Sequence, residues 1–570
     1  MNPEISIIIP VYNVEKYIAQ MLDSVKNQTF RNFEVVIVND GSPDNSQDII
    51  DGFCEEDDRF VSFIKENGGV ASARNYGLSK ARGRFVVFYD PDDYIPKDAL
   101  EKMYKTAAAN DAEIVIGVME EKSLGESLIY MHSQKLAKQK KISPLDQHFF
   151  GAWSLCHKMF SLDFIKKYDL KVEKLKNAED GVFTFCALKN AQRIFGCDVV
   201  AYNYIKRPFW EMPSATQTIS SEYLEGLLAS HDRILQEALE LAKKRFDNPN
   251  EYLEKLFERF IEGEMINGYY RGIWRASENL IPRITERTEM YREHISEETW
   301  NGILKRHRDL ELESGYMTAE EMESKPLLTL VVSDDMDEKK INLFLGSLYN
   351  QQFPRFEVVV SDILRDKVDS VYKDMLNFHF KSGCGVSFKQ EQARNARGKY
   401  VMIIDDFIMF TKNSLREMEK KLSADEKLDY VTMLVKNYDG KNFNKLKTLS
   451  AAYGRRKLMK NRYDSMDEFD TLVSNKMFRK SSLSSYNFNS NHHEDALMFP
   501  AAFNYAKLRK GIMISDITDE ELAANAPDKP NRLIVNMNYL KNDTEDRVIQ
   551  MLKRHITRED INKAKRIFGK

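Results

Sequence analysis

Near its N-terminus the chain reads ISIIIPVYN, residues 5–13, and the apolar part of this run ends at Pro10. Such a run predicts a short, fully buried strand. A second run, FEVVIV at residues 33–38, predicts another strand, and residues 14–26 between them carry apolar side chains at helical spacing. This alternation continues to about residue 89. It predicts an α/β fold, a doubly wound and mostly parallel Rossmann-like sheet with helices on both faces.

Polar residues follow three of the predicted strands. These segments are PVYN at 10–13, NDGS at 39–42 and DPDD at 90–93. In open parallel sheets, ligands bind beyond the carboxyl ends of the strands. The sequence therefore predicts a ligand site where these three segments meet.

The DPDD segment, Asp90-Pro91-Asp92-Asp93, comes directly after a buried apolar run. Carboxylates two positions apart in a turn can converge on one hard cation, such as Mg²⁺ or Mn²⁺, which prefers oxygen ligands. The alternative is a turn without a ligand, because Asp and Pro are common in turns for local hydrogen-bonding reasons. The segment taken alone does not decide between the two.

The composition excludes several classes of protein. The 570 residues include 84 basic and 88 acidic side chains, a net charge of −4, which gives no reason to expect a nucleic-acid partner. The five cysteines show neither metal-ligand nor disulfide spacing, as in proteins of reducing compartments. No stretch has the pattern of a secretory signal or of a bilayer-spanning helix. We expect a cytoplasmic protein and leave peripheral contact with a membrane open.

The chain also repeats itself. FEVVV at 356–360 echoes FEVVI at 33–37, and ARGKYV at 396–401 echoes ARGRFV at 81–86. Matches in the same order indicate that one fold was duplicated. A helical pattern separates the two copies and another follows the second. The predicted divisions are a first α/β domain at 1–220, a helical linker at 221–325, a second α/β domain at 326–530 and a helical tail at 531–570.

Several ordered motifs of the first copy resemble those of family 2 glycosyltransferases. They are ISIIIPVYN with VVIVNDGS, the loop and helix NGGVASARNYG at 67–77, and RFVVFYDPDD at 84–93. The resemblance covers about residues 3–210 and, in a weaker form, about 327–510. It implies the GT-A fold, a UDP-sugar donor and a divalent cation, Mn²⁺ or Mg²⁺. Within the family, the likeness is to bacterial enzymes that build cell-surface glycans, adhesin glycans or teichoic acids.

The resemblance also implies a donor site. Pro10 and Tyr12 would wall the nucleobase pocket, Asp40 would accept a hydrogen bond from uracil, and Gly69 would let the backbone approach the nucleotide. The implied donor-binding residues are Pro10, Tyr12, Asn13, Asp40, Asn67, Gly69, Arg74, Asp90 and Arg207.

The charged members of that set have separate implied roles. Arg74 would lie near the ribose-phosphate and the metal site; a surface helix arginine is the alternative, which the motif around Arg74 disfavours. Asp92 would be the main metal ligand, and Asp90 would contact the metal or the ribose. Lys206 and Arg207 follow an aromatic run, so a cation there could neutralise the leaving diphosphate, while a surface basic pair is the default.

An acidic pair, Glu179-Asp180, lies where the family has its general base. Asp180 is the predicted base and Glu179 would orient the acceptor or its neighbours. The alternative is an acidic first turn of a helix, where carboxylates are favoured in any case. Just before the pair, Trp153 and the segment CHKMF at 156–160 resemble the part of the family that lines the acceptor side.

The second copy departs from the family where chemistry would need it. Asp405-Asp406-Phe407-Ile408 replaces DPDD, and phenylalanine cannot bind a cation through oxygen. Glu494-Asp495 echoes the acidic pair. We expect a degenerate copy kept for acceptor binding, oligomer contacts or scaffolding, and a second active transferase is the alternative.

These patterns predict an inverting hexosyl- or N-acetylhexosaminyltransferase that uses a UDP-sugar and acts on a glycan, glycoprotein or wall-polymer acceptor. We also expect a homo-oligomer. One rival is a non-catalytic carbohydrate- or partner-binding protein that kept the fold. Another is nucleotidyl transfer to a sugar phosphate, which normally needs a glycine-rich phosphate loop near the first strand, and PVYNVE at 10–15 offers none.

Overall fold

The computed structural model divides into two compact units. The first comprises residues 1–207, 214–268 and 282–305, and the second comprises 208–213, 269–281 and 306–570. The structure describes residues 2–123, 126–207, 221–245, 249–274, 280–332, 334, 336–349, 351, 353–404, 408–410, 413–426, 428, 430–438, 443–445, 476–484 and 505–517.

The first unit is built on an eight-stranded sheet with the order β3-β2-β1-β4-β7-β5-β6, in which β8 also pairs with β5. The pairs β3-β2, β2-β1 and β1-β4 are parallel. The strands are β1 Ile5–Val11, β2 Phe33–Asn39, β3 Phe60–Ile64, β4 Phe85–Phe88, β5 Ile114–Ser123, β6 Glu126–Ile129, β7 Lys158–Ser161 and β8 Ile194–Ile205.

Helices lie between these strands in the order that the sequence predicts. They are α1 Ile18–Lys26, α2 Ser46–Glu56, α3 Val70–Lys80, α4 Ala99–Ala109, α5 Met131–Ala137, α6 Leu162–Lys167 and α7 Glu179–Asn190. Helix α1 begins later than the apolar spacing suggests, because the amide of Glu15 is bound by the Asp44 carboxylate (2.8 Å) and that of Val14 by the Ser46 hydroxyl (3.4 Å). Side-chain acceptors thus hold residues 14 and 15 outside the helix.

Successive side chains of the central strands pack into two different hydrophobic cores, one on each face of the sheet. Ile5, Ile7 and Ile9 of β1 belong to the larger core, whereas Val36 and Val38 of β2 pack with the α3 side on the opposite face. Successive side chains of a strand point to opposite faces, so a strand that is buried throughout must be covered on both. The prediction of a doubly wound sheet is confirmed.

A helical stretch follows the first sheet along the chain. Its elements are α8 Ser221–Arg245, α9 Asn250–Phe260, a π-helical turn Ile261–Ile266, α10 Asn267–Gly272, α11 Ile281–Arg292 and α12 Glu297–Arg306. Short 3₁₀ turns, Arg308–Leu310 and Leu312–Ser314, come next. Among the described residues, no helix is both long and apolar enough to cross a bilayer.

The second unit repeats the plan of the first. Its sheet has the order β11-β10-β9-β12-β16-β14-β17-β13, with β15 beside β14, and β9, β10, β11 and β12 pair in parallel. Its strands are β9 Leu328–Val332, β10 Phe356–Ser361, β11 Phe378–Lys381, β12 Tyr400–Ile404, β13 Met409–Phe410, β14 Tyr430–Tyr438, β15 Phe443–Lys445, β16 Lys476–Arg479 and β17 Tyr505–Ile517. Its helices are α13 Ala319–Ser324, α14 Glu338–Tyr349, the 3₁₀ turn Asp362–Lys367, α15 Ser370–Lys373, α16 Gly385–Asn395, α17 Ser414–Ser423 and α18 Lys480–Ser484.

The duplication extends to individual hydrogen bonds. In the first unit the Glu34 carboxylate accepts from the Ser6 hydroxyl (2.6 Å) and from the backbone amide of Arg82 (2.7 Å), and the amide of Gly83 donates to Ser6 Oγ (2.8 Å). The same bonds recur in the second unit among Thr329, Glu357, Arg397 and Gly398. A polar cluster buried in the same way at the start of both sheets supports a shared origin.

Parts of the second copy that carry sequence predictions lie outside the described residues. They are Asp405, Asp406 and Phe407, the pair Glu494-Asp495, and the tail at 531–570. The predicted domain limits and the degenerate function of the second copy stay predictions.

A glycine in each copy provides a test of this shared cluster. A Cβ at Gly83 would lie 2.6 Å from the backbone nitrogen of Ser6, and one at Gly398 would lie 2.7 Å from that of Thr329. Gly83→Ala and Gly398→Ala should each destabilise the chain by about 1–3 kcal/mol, because backbone must move to admit the methyl group. Thermal unfolding followed by circular dichroism measures the loss.

The matched control is Gly52→Ala in α2, where a Cβ meets nothing within 4 Å. This substitution should leave the unfolding temperature unchanged or raise it, because alanine is favoured over glycine inside a helix. Equal unfolding temperatures for Gly52→Ala and Gly83→Ala would contradict the close approach described for the cluster.

Candidate active site at the strand ends of the first unit

The predicted site segments meet at the carboxyl ends of β1, β2 and β4. The parallel register places Val11 of β1 beside Asn39 of β2, and β4 lies on the other side of β1. The Asp90–Asp93 segment therefore follows the strand next to the one that precedes Tyr12. The topology thus brings these segments to one edge of the sheet.

Arg74 joins the acidic segments. Its guanidinium lies on α3 with 3% of the residue exposed. Nη2 donates to Asp90 Oδ1 (2.8 Å), and Nη1 donates to Asp180 Oδ1 (2.7 Å) and Glu179 Oε1 (3.0 Å). Residues that are far apart in the sequence thus share one buried cation.

The electrostatics of this cluster follow from its burial. Burial opposes the charge of Arg74, yet attraction by Asp180, Asp90 and Glu179 holds the pKa of its guanidinium well above the usual range. Burial also raises the pKa of Glu179, and repulsion by Asp180 adds to this effect while Arg74 opposes it. The three carboxylates of the cluster therefore share one buried cation that stays charged.

Asp180 and Glu179 form the first turn of α7, where acidic side chains interact favourably with the helix dipole. Ala178 precedes them in the left-handed conformation, with φ of 56°. Asp180 Oδ2 accepts a hydrogen bond from the backbone amide of Leu155 (3.0 Å). Both oxygens of Asp180 thus have donors, and both the helix-start and the active-site interpretations of the pair fit this placement.

Asp92 is paired with Arg207. The guanidinium of Arg207 donates to Asp92 Oδ2 and lies 4.2 Å from the centroid of the Tyr17 ring. Burial raises the pKa of Asp92, repulsion by Asp90 adds to this, and Arg207 opposes it. The predicted metal ligand and the predicted phosphate-binding cation are therefore direct neighbours.

Asp93, the last acid of the same segment, has a different environment. It is fully buried, accepts from the hydroxyl of Tyr202, and accepts from the amide of Ile205 (2.6 Å). Burial and repulsion by Asp92 and Asp90 raise the pKa of Asp93 well above its usual range. This side chain anchors the segment to β8 and does not face a ligand.

Asp40 lies at the other side of the strand ends. Its carboxylate accepts from the amides of Gly69 (2.7 Å) and Gly68 (3.1 and 3.2 Å), and Lys65 forms an ion pair with it. Gly69 has φ of 86°, a conformation that glycine adopts without strain. Asp40 therefore holds the loop at 66–69, and exposed Asn67 lies within this loop.

Apolar side chains beside that loop are open to solvent. Tyr12 is 50% exposed and Ile64, at the end of β3, is 66% exposed. Pro10 is buried within β1. Asn13 has φ of 53°, and its amide donates to the hydroxyl of Ser42 (2.7 Å). An exposed aromatic ring beside a glycine loop can accept a planar ring by stacking.

Sequence comparison identifies the part of the chain that carries most of this site. The model of the family described as Glycosyl transferase family 2 matches residues 6–170. Residues 6–170 form a family 2 glycosyltransferase domain. The matched range includes the strands and loops that carry Tyr12, Asp40, Arg74 and Asp92.

Curated relatives match part of the chain. The putative glycosyltransferase EpsH of Bacillus subtilis is 32% identical over 239 residues, 40% of this chain and 66% of the relative. GlyA of Streptococcus pneumoniae is 41% identical over 132 residues, 23% of this chain and 19% of the relative. Poly(ribitol-phosphate) beta-N-acetylglucosaminyltransferase TarS of Staphylococcus aureus is 30% identical over 268 residues, 46% of this chain and 45% of the relative. The chain thus spans less than two thirds of each.

A solved structure of residues 1–349 of S. aureus TarS in complex with UDP-GlcNAc is also similar. It has 25% sequence identity and a TM-score of 0.44, and the match covers 54% of this chain and 86% of that one.

The glycosyltransferase domain offers a donor set that suits a divalent cation. Asp92 and Asp90 supply carboxylate oxygens, and the burial and mutual repulsion that raise the pKa of Asp92 would be relieved by a cation between them. Among the described residues, no group of three or more His, Cys, Asp or Glu side chains is arranged to hold a metal. Mg²⁺ is commonly held by one or two carboxylates together with substrate phosphates, so two aspartates suffice.

Other contacts in the glycosyltransferase domain had no signal in the motifs. Lys65, which binds Asp40, lies outside the quoted motifs, and the Leu155 contact to Asp180 is made by a backbone amide that any residue but proline provides. The hydrogen bond from Tyr202 to Asp93 depends on the pairing of β8, which no local motif indicates.

Removing the shared cation should destabilise the domain in a pH-dependent way. Arg74→Met leaves Asp90, Glu179 and Asp180 without their buried partner, at a cost of roughly 3–5 kcal/mol at about pH 8. The pKa of Glu179 should rise further, because its neutralising partner is gone. A carboxyl group whose folded pKa is raised stabilises the fold only while it is protonated, so the deficit should shrink at about pH 5.

Urea unfolding at both pH values measures this difference, with Lys80→Met on the exposed end of α3 as the control. A deficit for Arg74→Met that is the same at both pH values would contradict the proposed dependence on Arg74.

Proposed function

We propose that the chain is a metal-dependent, inverting glycosyltransferase that moves a sugar from a UDP-sugar to an acceptor hydroxyl. The observation that carries this proposal is the buried Arg74, which holds Asp90 from the metal motif and Asp180 from the acidic pair. In a metal-dependent inverting transfer, a cation held by carboxylates acts on the leaving diphosphate and a base acts on the acceptor hydroxyl. The shared guanidinium supports the view that these two carboxylates belong to one site.

Asp180 is the proposed general base. Its carboxylate accepts hydrogen bonds from Arg74 and from the Leu155 amide, which fix its position at the start of α7. As the acceptor oxygen attacks the anomeric carbon, its proton passes to Asp180 and the bond to the diphosphate breaks. One displacement inverts the anomeric configuration. Glu179 lies beside Asp180 on the same guanidinium, and we assign it to orienting the acceptor.

Asp92 and Asp90 are the proposed ligands of a divalent cation, Mn²⁺ or Mg²⁺. When bound, the cation would neutralise charge on the diphosphate leaving group. Arg207 would exchange its contact with Asp92 for one with the diphosphate, which its position beside Asp92 supports. Arg74, whose polar contacts are made to carboxylates, would act through them more than through direct contact with the ribose-phosphate.

The donor is proposed to carry uridine. Tyr12 and Pro10 would flank the base, Asn13 would support that loop, and Asp40 would accept from the uracil N–H while it anchors Gly69 near the ribose. Exposed Asn67 in the same loop is available to contact the nucleotide. The relative TarS is an N-acetylglucosaminyltransferase by name, which supports a hexosyl or N-acetylhexosaminyl group.

The acceptor is proposed to be a glycan, a glycoprotein or a wall polymer. The names of two relatives, TarS and the minor teichoic acid biosynthesis protein GgaB of B. subtilis, favour a wall polymer. The chain is proposed to act in the cytoplasm as a homo-oligomer, with the second unit serving in assembly or acceptor binding. The non-catalytic alternative is disfavoured because a binding protein has no need for the buried cluster around Arg74.

A variant of the base tests this assignment. Asp180→Asn should lower transfer by about 10²–10⁴-fold, because the amide cannot accept the acceptor proton. Binding of UDP, measured by calorimetry, should stay nearly unchanged. A variant that transfers sugar at the normal rate would show that Asp180 is not the base.

A donor panel tests the activity itself. The purified chain is incubated with Mn²⁺ and several UDP-sugars, and UDP release is followed with and without EDTA. One donor should be turned over slowly, and both EDTA and Asp92→Ala should abolish this release. If no donor releases UDP and no nucleotide raises the unfolding temperature, the non-catalytic alternative would replace the transferase.

A further inference from the structure

A short irregular segment contacts both acidic parts of the proposed site. Residues 152–157, here called the strap, connect the 3₁₀ turn Gln147–Gly151 to β7. Within the strap, the amide of Leu155 donates to Asp180 Oδ2 (3.0 Å) and the thiol of Cys156 donates to Asp90 Oδ2 (3.4 Å). The backbone path of the strap therefore influences where both carboxylates point.

The buried side chain of Lys158 holds the strap through hydrogen bonds. It is 1% exposed, and its ammonium donates to the carbonyl oxygens of Ala152 (2.7 Å) and Ser154. Its Nζ also lies 3.3 Å from Nε2 of His157. Burial and repulsion by Lys158 hold the pKa of His157 well below its usual range, so this ring is neutral and can accept. The three N–H groups of the ammonium thus have three acceptors.

A lysine in this position is costly to the fold. Burial lowers the pKa of Lys158 to about 7, although the charge of Asp180 opposes the shift. No ion pair of Lys158 occurs among the described residues, and backbone carbonyls compensate only part of the desolvation of a charge. An apolar side chain would avoid this desolvation but would leave the carbonyl oxygens of Ala152 and Ser154 without their donor. The free-energy cost of burying the ammonium is explained if the ammonium fixes a backbone conformation of the strap that the site requires.

We propose that Lys158 is a positioning residue, whose buried ammonium fixes the strap and thereby aims the Leu155 amide at Asp180 and the Cys156 thiol at Asp90. This inference rests on the proposed function, because it concerns the same base. The inference goes beyond the proposed function because it names a side chain that does not contact the substrate. Lys158 acts only through the backbone of the strap.

The second unit contains a matched control. Lys476 begins β16 as Lys158 begins β7, the two are followed by Met-Phe, and Lys476 is also buried. If the buried lysine serves only the stability of the fold, Lys158→Met and Lys476→Met should have equivalent effects. If Lys158 positions the base, the loss of turnover should be confined to Lys158→Met.

The test compares kcat for UDP release, the Kd for UDP and the unfolding temperature in both variants. Lys158→Met should lower kcat roughly 10- to 100-fold while the Kd for UDP stays unchanged, since a small misplacement of a catalytic group costs about that much. Lys476→Met should keep the normal kcat. An unchanged kcat for Lys158→Met, or equal losses in both variants, would overturn the inference.

An independent readout follows the strap itself. In protein labelled with ¹⁵N-leucine, the Leu155 amide signal should move in Lys158→Met and in Asp180→Asn, because both weaken the same hydrogen bond. A Leu155 signal that stays in place in Lys158→Met would also overturn the inference. If Lys158→Met does not fold, Lys158→Gln, which keeps a donor without the charge, takes its place.

The two proposals fail in distinguishable ways. A wild-type chain that neither binds UDP nor releases it from any donor contradicts the proposed function. The Leu155 signal still reports in that case whether Lys158 fixes the strap against Asp180.

Discussion

The buried guanidinium of Arg74 is the interaction on which the first unit's site depends. Three carboxylates from two separate parts of the chain, Asp90 and the pair Glu179-Asp180, lie within hydrogen-bond distance of it. Like charges brought together away from water repel strongly, so such a group persists only around a cation that stays protonated. Arginine meets this requirement, and its planar fork reaches carboxylates on two sides. The negative charge that the proposed metal binding and the proposed base would need is thus gathered by one side chain of α3.

The order of the strands in the sheet explains why Arg74 can reach all three carboxylates. Parallel pairing of β1 with β2 and β4 puts the ends of these strands at one edge, and α3 packs beside them. The second unit keeps the parallel sheet and its buried Ser/Thr–Glu–Arg cluster. The residues at the positions equivalent to Asp40 and Arg74 differ. Ile363, which is 54% exposed, follows Glu357 at the spacing at which Asp40 follows Glu34, and Lys389 precedes Gly398 at the spacing of Arg74 before Gly83. The parallel sheet can therefore be retained where the donor-binding side chains are not.

Much of the fold could be predicted because buried parallel strands appear in the sequence as short, nearly continuous apolar runs. The runs at 5–9 and 33–38 are apolar on both faces, and polar segments follow them where ligands bind. The partners of Arg74 could not be predicted in the same way, because Asp180 lies more than a hundred residues away and only the tertiary structure joins them. The buried role of Asp93 was hidden for a similar reason, since nothing local distinguishes it from Asp92. The hydrogen bond from the Leu155 amide to Asp180 could not be predicted, because a backbone amide is present whatever the residue type.

The central claim is that the donor binds at the strand ends of the first unit and not in the second. Photo-crosslinking with a 5-azido derivative of uridine diphosphate, followed by peptide mapping, tests this most directly. The account predicts label on peptides that contain Tyr12 or residues 64–70, and the label should disappear when excess UDP is present. Label confined to peptides of the second unit, or label that UDP does not displace, would contradict it.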